Sequence, residues 1–301
     1  MRIAILGPGG VGGFVAAALA RAGEDVTVIA REETASRIAA EGISVRSAVL
    51  GDFVAHPAAA AALDDEGAVL IVATKATGLS DALARVTATP SLVVPLLNGL
   101  DHLGVLRERF GAQRVVAGVI RVESDRPSPG VVVQSSPSVR IDLATEQPAL
   151  RPAIEALAAT LREAGIPVRI GDSEAQVMWS KLLRLNALAL TTSAADRPLG
   201  EIRGDPRWRS ALEQAVAEAA AVARADGATL DPADTVHELE EAHAGLGSSM
   251  QRDIAAGRAP ELDAIAGAVL RGAARHGIAC PSVTWLAERV AARAGIEPPR
   301  A

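Results

Sequence analysis

The hydrophobic pattern divides this chain into two parts. Short apolar or β-rich runs at 2–6, 25–30, 68–73 and 92–96 predict strands, and those at 68–73 and 92–96 are typical of strands buried on both faces. Helical patterns separate several of these runs. After Gly171 the strand pattern ends, and long helical patterns follow to the end of the chain. The pattern predicts an α/β domain over residues 1–171, with a doubly wound parallel sheet, and an all-helical domain over 172–301. The short connection between them predicts a cleft where the two halves pack.

Three local predictions depend on shorter patterns. The alanine-rich run at 58–63 predicts a short helix, and the segment 124–130, SDRPSPG, predicts a turn between two β segments. The long periodic segment at 232–256 predicts a single helix.

Composition and charge exclude several classes of protein. The hydrophobic fraction of 49% is that of a globular chain, and the net charge of −6 lacks the basic excess that nucleic-acid binding requires. No run of about 18 apolar residues indicates a membrane span, and glycines interrupt the N-terminal apolar run, so we expect no signal peptide. Cys280 is the only cysteine, and the five histidines show no ligand spacing. We therefore expect a cytoplasmic protein without a metal site.

A glycine motif follows the first predicted strand and opens a helix. Its residues are Gly7, Pro8, Gly9, Gly10, Val11 and Gly12. Glycines at this spacing permit a tight turn, close approach of the backbone to a pyrophosphate, and close packing of the helix on the strand. The free N–H groups at the helix start favour phosphate. The strand–turn–helix–strand order indicates a dinucleotide site of the Rossmann type.

The end of the second predicted strand indicates which dinucleotide binds. Arg31 stands where an NAD site carries an acidic residue, and a guanidinium at this position suits the 2′-phosphate of NADP. The alternative is that Arg31 is an ordinary solvated residue, and Glu32 and Glu33 beside it weaken the NADP interpretation.

Rare residue types mark further candidates. Lys75 and Lys181 are the only lysines among 30 basic residues, and lysine, unlike arginine, can be tuned to release a proton near neutral pH. Lys75 and Asn98 each follow an apolar strand, where ligands bind in doubly wound sheets, although Asn98-Gly99 is also a common turn. Lys181 lies among large apolar residues on a long helix, where it is either functional or a structural, ion-paired lysine.

Taken together and in order along the chain, these motifs resemble the ketopantoate reductase (2-dehydropantoate 2-reductase) family. The matching elements are the glycine motif, Arg31, Lys75, Leu97-Asn98-Gly99, Trp179-x-Lys181-Leu182, Ser248-Ser249-Met250-x-x-Asp253, Glu261 and His276-Gly277-Ile278-x-x-Pro281. The segment containing the two serines, with Glu261 twelve residues after Ser249, is the most specific of them.

The resemblance implies a reaction and a role for each matching residue. It implies reduction of 2-dehydropantoate, or a similar 2-oxo acid, with NADP(H), and thus a place in pantothenate biosynthesis. Lys181 would be the general acid, and Glu261 would bind near the reacting hydroxyl and the cofactor. Ser249 would contact the substrate, Asn98 and Lys75 would lie around the cofactor, and Arg31 would contact its 2′-phosphate. Asn98 is also a candidate substrate contact.

One departure from the family pattern concerns the substrate pocket. The family has Asn four residues after the catalytic lysine, and often again four residues later, where this chain has Leu185 and Ala189. Asn186 lies five residues after Lys181, about 140° around a regular helix instead of about 40°. Either Asn186 faces elsewhere, or a one-residue π-bulge turns it back towards the pocket as a substrate contact. In both cases the pocket is less polar than the family pattern.

Three alternatives remain open from the sequence. The substrate is ketopantoate, or a more apolar 2-oxo acid or an imine. A non-catalytic NADP-binding sensor is a different class, which Lys181 and Glu261 argue against. The helical half could form a homodimer, or its helices could pack only within the chain.

Overall fold

The computed structural model describes residues 1–300, which form two compact units. Unit 1 comprises Met1–Leu97 and His102–Val177, and unit 2 comprises Asn98–Asp101 and the chain from Met178 onward. The boundary between Val177 and Met178 lies on the C-terminal side of residue 171, where the sequence predicts the change from mixed to helical structure. The short segment 98–101 belongs to the helical unit.

The strands all lie in unit 1. They are β1 (Arg2–Leu6), β2 (Asp25–Ile29), β3 (Ile43–Ser47), β4 (Phe53–Ala55), β5 (Ala58–Ala60), β6 (Val69–Val72), β7 (Leu92–Pro95), β8 (Ala117–Arg121), β9 (Ser124–Ser128), β10 (Val131–Gln134), β11 (Arg140–Ala144) and β12 (Val168–Ile170).

The helices occur in both units. They are α1 (Gly10–Arg21), α2 (Glu32–Glu41), α3 (Leu79–Leu83), α4 (His102–Phe110), α5 (Arg151–Glu163), α6 (Glu174–Ala195), α7 (Leu199–Gly204), α8 (Pro206–Ala225), α9 (Pro232–Glu241), α10 (Ser249–Ala255), α11 (Ala268–His276) and α12 (Pro281–Ala294). A π-helical turn, Asp263–Gly267, leads directly into α11.

The main sheet has the order β5-β2-β1-β6-β7, and every pairing in it is parallel. The chain passes from β1 to β2 on one side and later to β6 on the other, so the strand order reverses at β1. This is the topological switch point at which doubly wound sheets bind ligands. The predicted α/β fold with a parallel N-terminal sheet and a helical C-terminal part is confirmed.

Two smaller sheets complete unit 1. One has the order β4-β3-β10-β9 and the other β12-β11-β8, and both mix parallel and antiparallel pairs. Helix α1 packs between the main sheet and the first small sheet, so residues 14–19 are fully buried. The alanine and glycine content of α1 permits this close approach on opposite faces of the helix.

Three local predictions were wrong. Residues 58–60 form β5 and pair with Thr27–Ile29, because the open edge of the sheet satisfies their backbone and overrides alanine's helix preference. Residues 124–128 form β9 against β10. The segment 232–256 is two helices, α9 and α10, separated where Gly245 and Gly247 weaken the helix and Ser248 caps a new one.

In unit 2, a buried tryptophan fixes the long helix α6 to its neighbours. Trp179 is 1% exposed, and its indole N–H donates to Asp226 Oδ2 at 3.1 Å, at the C-terminal end of α8. Asp226 also accepts from His276 at the end of α11. One carboxylate therefore joins three helices and sets the rotation of α6 about its axis.

Candidate active site

The glycine motif forms the turn between β1 and α1. Gly7 has φ of +93°, and a side chain there would press on Thr74, which follows β6. A Cβ on Gly12 would clash with the carbonyl oxygen of Gly7, and one on Gly10 would clash with the backbone of Ser124. These three glycines are therefore required by the packing of the protein itself.

Gly9 differs from the other glycines of the motif. A Cβ added to Gly9 would meet no atom within 4 Å, so this position faces open space. It is also the N-cap residue of α1, beside N–H groups that no helical carbonyl satisfies. This turn therefore leaves room for an anionic group against the positive end of a helix.

Two predicted basic residues lie at the same edge of the main sheet. Arg31 is exposed and stands at the N-cap of α2, directly after β2. Lys75 is exposed and follows β6, next to the turn that contains Gly7. Unit 1 thus presents two cations and a glycine turn at the carboxyl ends of neighbouring parallel strands.

The segment after β7 brings two predicted site residues into contact within unit 2. The amide Nδ2 of Asn98 donates to Glu261 Oε2 at 2.9 Å. The two residues are separated by 163 positions, and Glu261 is only 8% exposed. This hydrogen bond restricts the orientation of the Glu261 carboxylate.

The backbone around this pair is in close contact. Gly99 has φ of +85°, and any side chain on it would clash with the carbonyl group of Ala264 in the π-helical turn. Both the left-handed conformation and the close approach require glycine at this position. The Asn98-Gly99 segment is thus a turn as well as a carrier of a candidate site residue.

An ion-pair network beside this turn was not found by sequence reasoning. Arg271 Nη2 contacts Asp101 Oδ2 at 2.6 Å, and its Nη1 contacts Asp263 Oδ1 at 2.8 Å. Burial lowers the pKa of Arg271, but hydrogen bonds and charges from Asp263 and Asp101 outweigh it and raise the pKa above the usual value. Asp263 and Arg271 are eight positions apart, beyond the i,i+4 spacing of ion pairs on a helix, so the sequence indicated neither this pair nor Asp101 as its partner.

Lys181 lies on the half-exposed side of α6. Ser180, Lys181, Arg184 and Leu185 are partly exposed, while every other residue from 177 to 194 is buried. Leu185 is one turn after Lys181, about 40° away around the helix. An apolar side chain therefore shares the accessible face with the candidate proton donor.

Asn186 lies on another face of the same helix. The helix is α-helical throughout Glu174–Ala195, without the π-bulge that would turn Asn186 towards the Lys181 face. Asn186 is 0% exposed, and neither polar atom of its amide has a hydrogen-bond partner among the described residues. The predicted substrate contact depended on that bulge, so this geometry does not bring Asn186 to the side of Lys181.

The two adjacent serines have different environments. Ser248 is 4% exposed, caps α10 by accepting from the Gln251 N–H at 3.1 Å, and also accepts from Thr192 Oγ1 at 3.0 Å. Ser249, the first residue of α10, is exposed. Ser248 is therefore a structural residue, whereas Ser249 is accessible to a ligand.

The structure gives no indication of a reactive cysteine, a metal site or a membrane-spanning helix within residues 1–300. Burial, followed by the charge of Glu218, raises the pKa of the Cys280 thiol to about 11, so it is not a thiolate at neutral pH. Within residues 1–300, no group of three or more His, Cys, Asp or Glu side chains is placed to hold a metal ion. In the same range, no helix combines the length and apolar character that a membrane crossing requires.

The different environments of the two serines lead to a paired prediction. We expect Ser248→Ala to lower the free energy of unfolding by about 1 kcal/mol, because it removes the cap of α10. Ser249→Ala removes an exposed hydroxyl and should leave the urea-unfolding midpoint unchanged. Equal loss of stability in the two variants would show that Ser248 does not cap the helix in solution.

Comparison with known proteins places the chain in a family. Residues 3–145 match the family model described as ketopantoate reductase PanE/ApbA, and residues 175–294 match the model of its C-terminal part. A 2-dehydropantoate 2-reductase of Mycobacterium tuberculosis (strain CDC 1551 / Oshkosh) is 33% identical over 292 residues, covering 93% of each chain.

Solved structures agree with this placement. The 2-dehydropantoate 2-reductase of Geobacter metallireducens GS-15 is 30% identical with a TM-score of 0.88, covering 96% of this chain and 99% of that one. A D-mandelate dehydrogenase, solved with NADH and anilino(oxo)acetate, has the same fold at 23% identity and a TM-score of 0.88, covering 98% and 99% of the two chains. The chain is an oxidoreductase and belongs to the ketopantoate reductase family.

Proposed function

We propose that this protein reduces the carbonyl group of a 2-oxo acid to a hydroxyl group with NADPH, and that its substrate is 2-dehydropantoate (ketopantoate). NADP(H) is the cofactor of the family, and pantoate, the product, belongs to pantothenate biosynthesis. The observation that carries the proposal is the hydrogen bond between Asn98 and Glu261. It joins two residues that the family resemblance assigned to one site, although they are far apart in the sequence.

The residues of unit 1 fit a dinucleotide phosphate. The open space at Gly9 and the free N–H groups at the start of α1 suit the pyrophosphate. Exposed Arg31 would hold the 2′-phosphate, since a guanidinium presents several N–H donors to phosphate oxygens. Lys75 would add a positive charge at the same sheet edge. When bound, NADPH supplies the hydride that adds to the carbonyl carbon of the substrate.

Lys181 carries the proton chemistry in this proposal. Its ammonium group would donate a hydrogen bond to the substrate's carbonyl oxygen and stabilise the negative charge that develops there. It would then release a proton to that oxygen, which completes the hydroxyl group. Arginine could supply the charge but not the proton.

Glu261 and Asn98 act as a pair. The Asn98 amide holds one oxygen of Glu261, so that the other oxygen can accept a hydrogen bond from the new hydroxyl group. Ser249 would donate to the substrate from the start of α10, where its side chain is exposed.

A specific observation favours a second candidate substrate class. Leu185 shares the accessible face of α6 with Lys181, and Ala189, one turn further, is fully buried. Neither side chain can hydrogen-bond the terminal hydroxyl group of ketopantoate. A 2-oxo acid with an entirely apolar side chain would lose nothing at these positions.

Gly9→Ala tests the cofactor site without disturbing the fold. The new methyl group would occupy open space, so the unfolding midpoint should not change. We expect NADPH affinity, measured by fluorescence titration, to fall at least tenfold because the methyl group keeps the pyrophosphate from the backbone. Gly104→Ala, also in open space, is the control and should bind NADPH normally. Unchanged NADPH binding in Gly9→Ala would contradict this site.

Lys181→Met tests the proton donor. General acid catalysis contributes about 10²–10⁴-fold, so kcat should fall by that factor while the Kd for NADPH stays within about threefold. Lys181→Arg keeps the charge and should recover little of the lost rate. Parallel losses of turnover and NADPH affinity would instead assign Lys181 to cofactor binding.

A matched pair of substrates separates the two candidate classes. Ketopantoate and 3,3-dimethyl-2-oxobutanoate differ only by the terminal hydroxyl group, and NADPH oxidation measures kcat/KM for each. A site that hydrogen-bonds the hydroxyl rejects the analogue by up to about 10⁴-fold, and this is the result expected for ketopantoate as substrate. Comparable rates, or a preference for the analogue, would assign the apolar class. Phenylglyoxylate extends the panel to an aromatic side chain, and Leu185→Asn should shift preference towards ketopantoate.

A further inference from the structure

The ion pairs around Arg271 connect the Asn98–Asp101 segment to the region that carries Glu261. Asp101 follows Asn98 by three residues, and Asp263 follows Glu261 by two. Arg271 Nη2 contacts both, at 2.6 Å to Asp101 Oδ2 and 3.3 Å to Asp263 Oδ2, and also the Asp263 carbonyl oxygen at 3.1 Å. One guanidinium therefore joins the two segments whose side chains, Asn98 and Glu261, form the hydrogen bond of the candidate site.

Gly267 makes this arrangement sterically feasible. It lies midway between Asp263 and Arg271, and a Cβ on it would be 2.6 Å from Asp263 Oδ1 and 2.8 Å from Arg271 Nη1. Without a side chain there, the ion pair crosses the helix surface directly over Gly267. The π-helical turn at Asp263–Gly267 is in the same place, and such turns are common at functional sites.

Charge explains why the guanidinium matters at this point. Asp101 and Asp263 contact the same nitrogen atom of Arg271. If an uncharged residue replaced Arg271, the two carboxylates would face each other without a counter-ion. Their repulsion would push the Asn98–Asp101 segment away from the π-helical turn. Arg271, with 30% of its side chain exposed, is the most buried member of the trio.

We propose that Arg271 is a positioning residue, which holds the Asn98–Asp101 segment against the π-helical turn and so fixes the Asn98 amide on Glu261. The inference rests on the proposed function for its effect on activity, because Asn98 and Glu261 act on substrate only in that proposal. It predicts a change in the environment of Asn98 whether or not the reaction is assigned correctly.

The asparagine content of the chain provides a direct readout. Asn98 and Asn186 are the only asparagines, so protein labelled with ¹⁵N-asparagine gives two pairs of side-chain NH₂ signals, one pair per residue, which Asn98→Ala assigns. We expect Arg271→Gln to shift the Asn98 signal and leave the Asn186 signal in place. Arg209→Gln, which removes the ion pairs with Glu213 and Glu240 in the same unit and does not touch Asp226, is the control and should shift neither.

Activity supplies the second measurement. With NADPH saturating, Arg271→Gln should lower kcat/KM by about tenfold to a hundredfold, as expected for misplaced catalytic groups, with unchanged NADPH affinity. The double variant Asp101→Asn/Arg271→Gln should be no worse than Arg271→Gln, because it also removes the repelling carboxylate. Arg271→Lys should recover part of the loss, since one ammonium group can contact one carboxylate.

Gly267→Ala keeps every charge and tests whether the position of Asn98 can change without a loss of protein stability. Its methyl group would push Asp263 and Arg271 apart, so the Asn98 signal should shift and kcat/KM should fall. Alanine is a better helix former than glycine, so the unfolding midpoint should not fall with it.

These experiments distinguish an error in the positioning role of Arg271 from an error in the proposed reaction. If the wild-type protein reduces no 2-oxo acid but the Asn98 signal shifts in Arg271→Gln, the positioning role stands and the reaction is wrong. An unmoved Asn98 signal, activity equal to that of Arg209→Gln, or multiplicative losses in the double variant would overturn the inference.

Discussion

The hydrogen bond from Asn98 to Glu261 is the contact on which the arrangement of the helical unit's candidate site depends. It requires the turn at Gly99 to touch the backbone of Ala264, and only a residue without a side chain permits that approach at positive φ. Beside it lies a charge network in which two carboxylates, Asp101 and Asp263, contact one guanidinium, that of Arg271. A short segment that follows a strand of the sheet thereby becomes part of the helical unit.

Steric constraints of the same kind shape the other unit. The turn between β1 and α1 is fixed by three glycines that touch neighbouring backbone or side-chain atoms, and Gly9 alone of the four is left facing open space. The parallel sheet brings this turn, Arg31 and Lys75 to one edge, because all carboxyl ends of its strands point the same way. Packing thus restricts three glycines of the motif and leaves the fourth, Gly9, unrestricted.

Helix α6 has a buried side that packs within the helical unit and an accessible side that carries a candidate catalytic residue. Its buried side is fixed by Trp179 and Asp226, and its accessible side presents Lys181 and Leu185. Because the helix is regular, a change of one position in the sequence moves a polar group from the accessible face to the buried one. Asn186 illustrates the consequence: its amide is buried without a partner among the described residues, a situation that costs about 1–3 kcal/mol unless water satisfies it.

Local sequence patterns were sufficient for the parts of this protein that local physics governs. The apolar and β-rich runs predicted β1, β2, β6 and β7, and the glycine motif predicted the turn that leads into α1. Strands β6 and β7 are buried at every position, which requires apolar residues throughout. Strand context and residue rarity also indicated Asn98 and Lys181 as candidate residues, whereas Ser249 and Glu261 became candidates only through the family resemblance.

Only the tertiary structure decided the features that depend on distant partners. Residues 58–60 became a strand because an open sheet edge was there to pair with them, and residues 124–128 did so because β10 lay beside them. The sequence left a π-bulge in α6 open and gave no indication of the π-helical turn after Glu261, whereas the structure shows a regular α6 and a π-helical turn at Asp263–Gly267. The Asp101–Arg271 contact spans 170 positions, so the sequence supplied its charges while the fold alone determined that they meet.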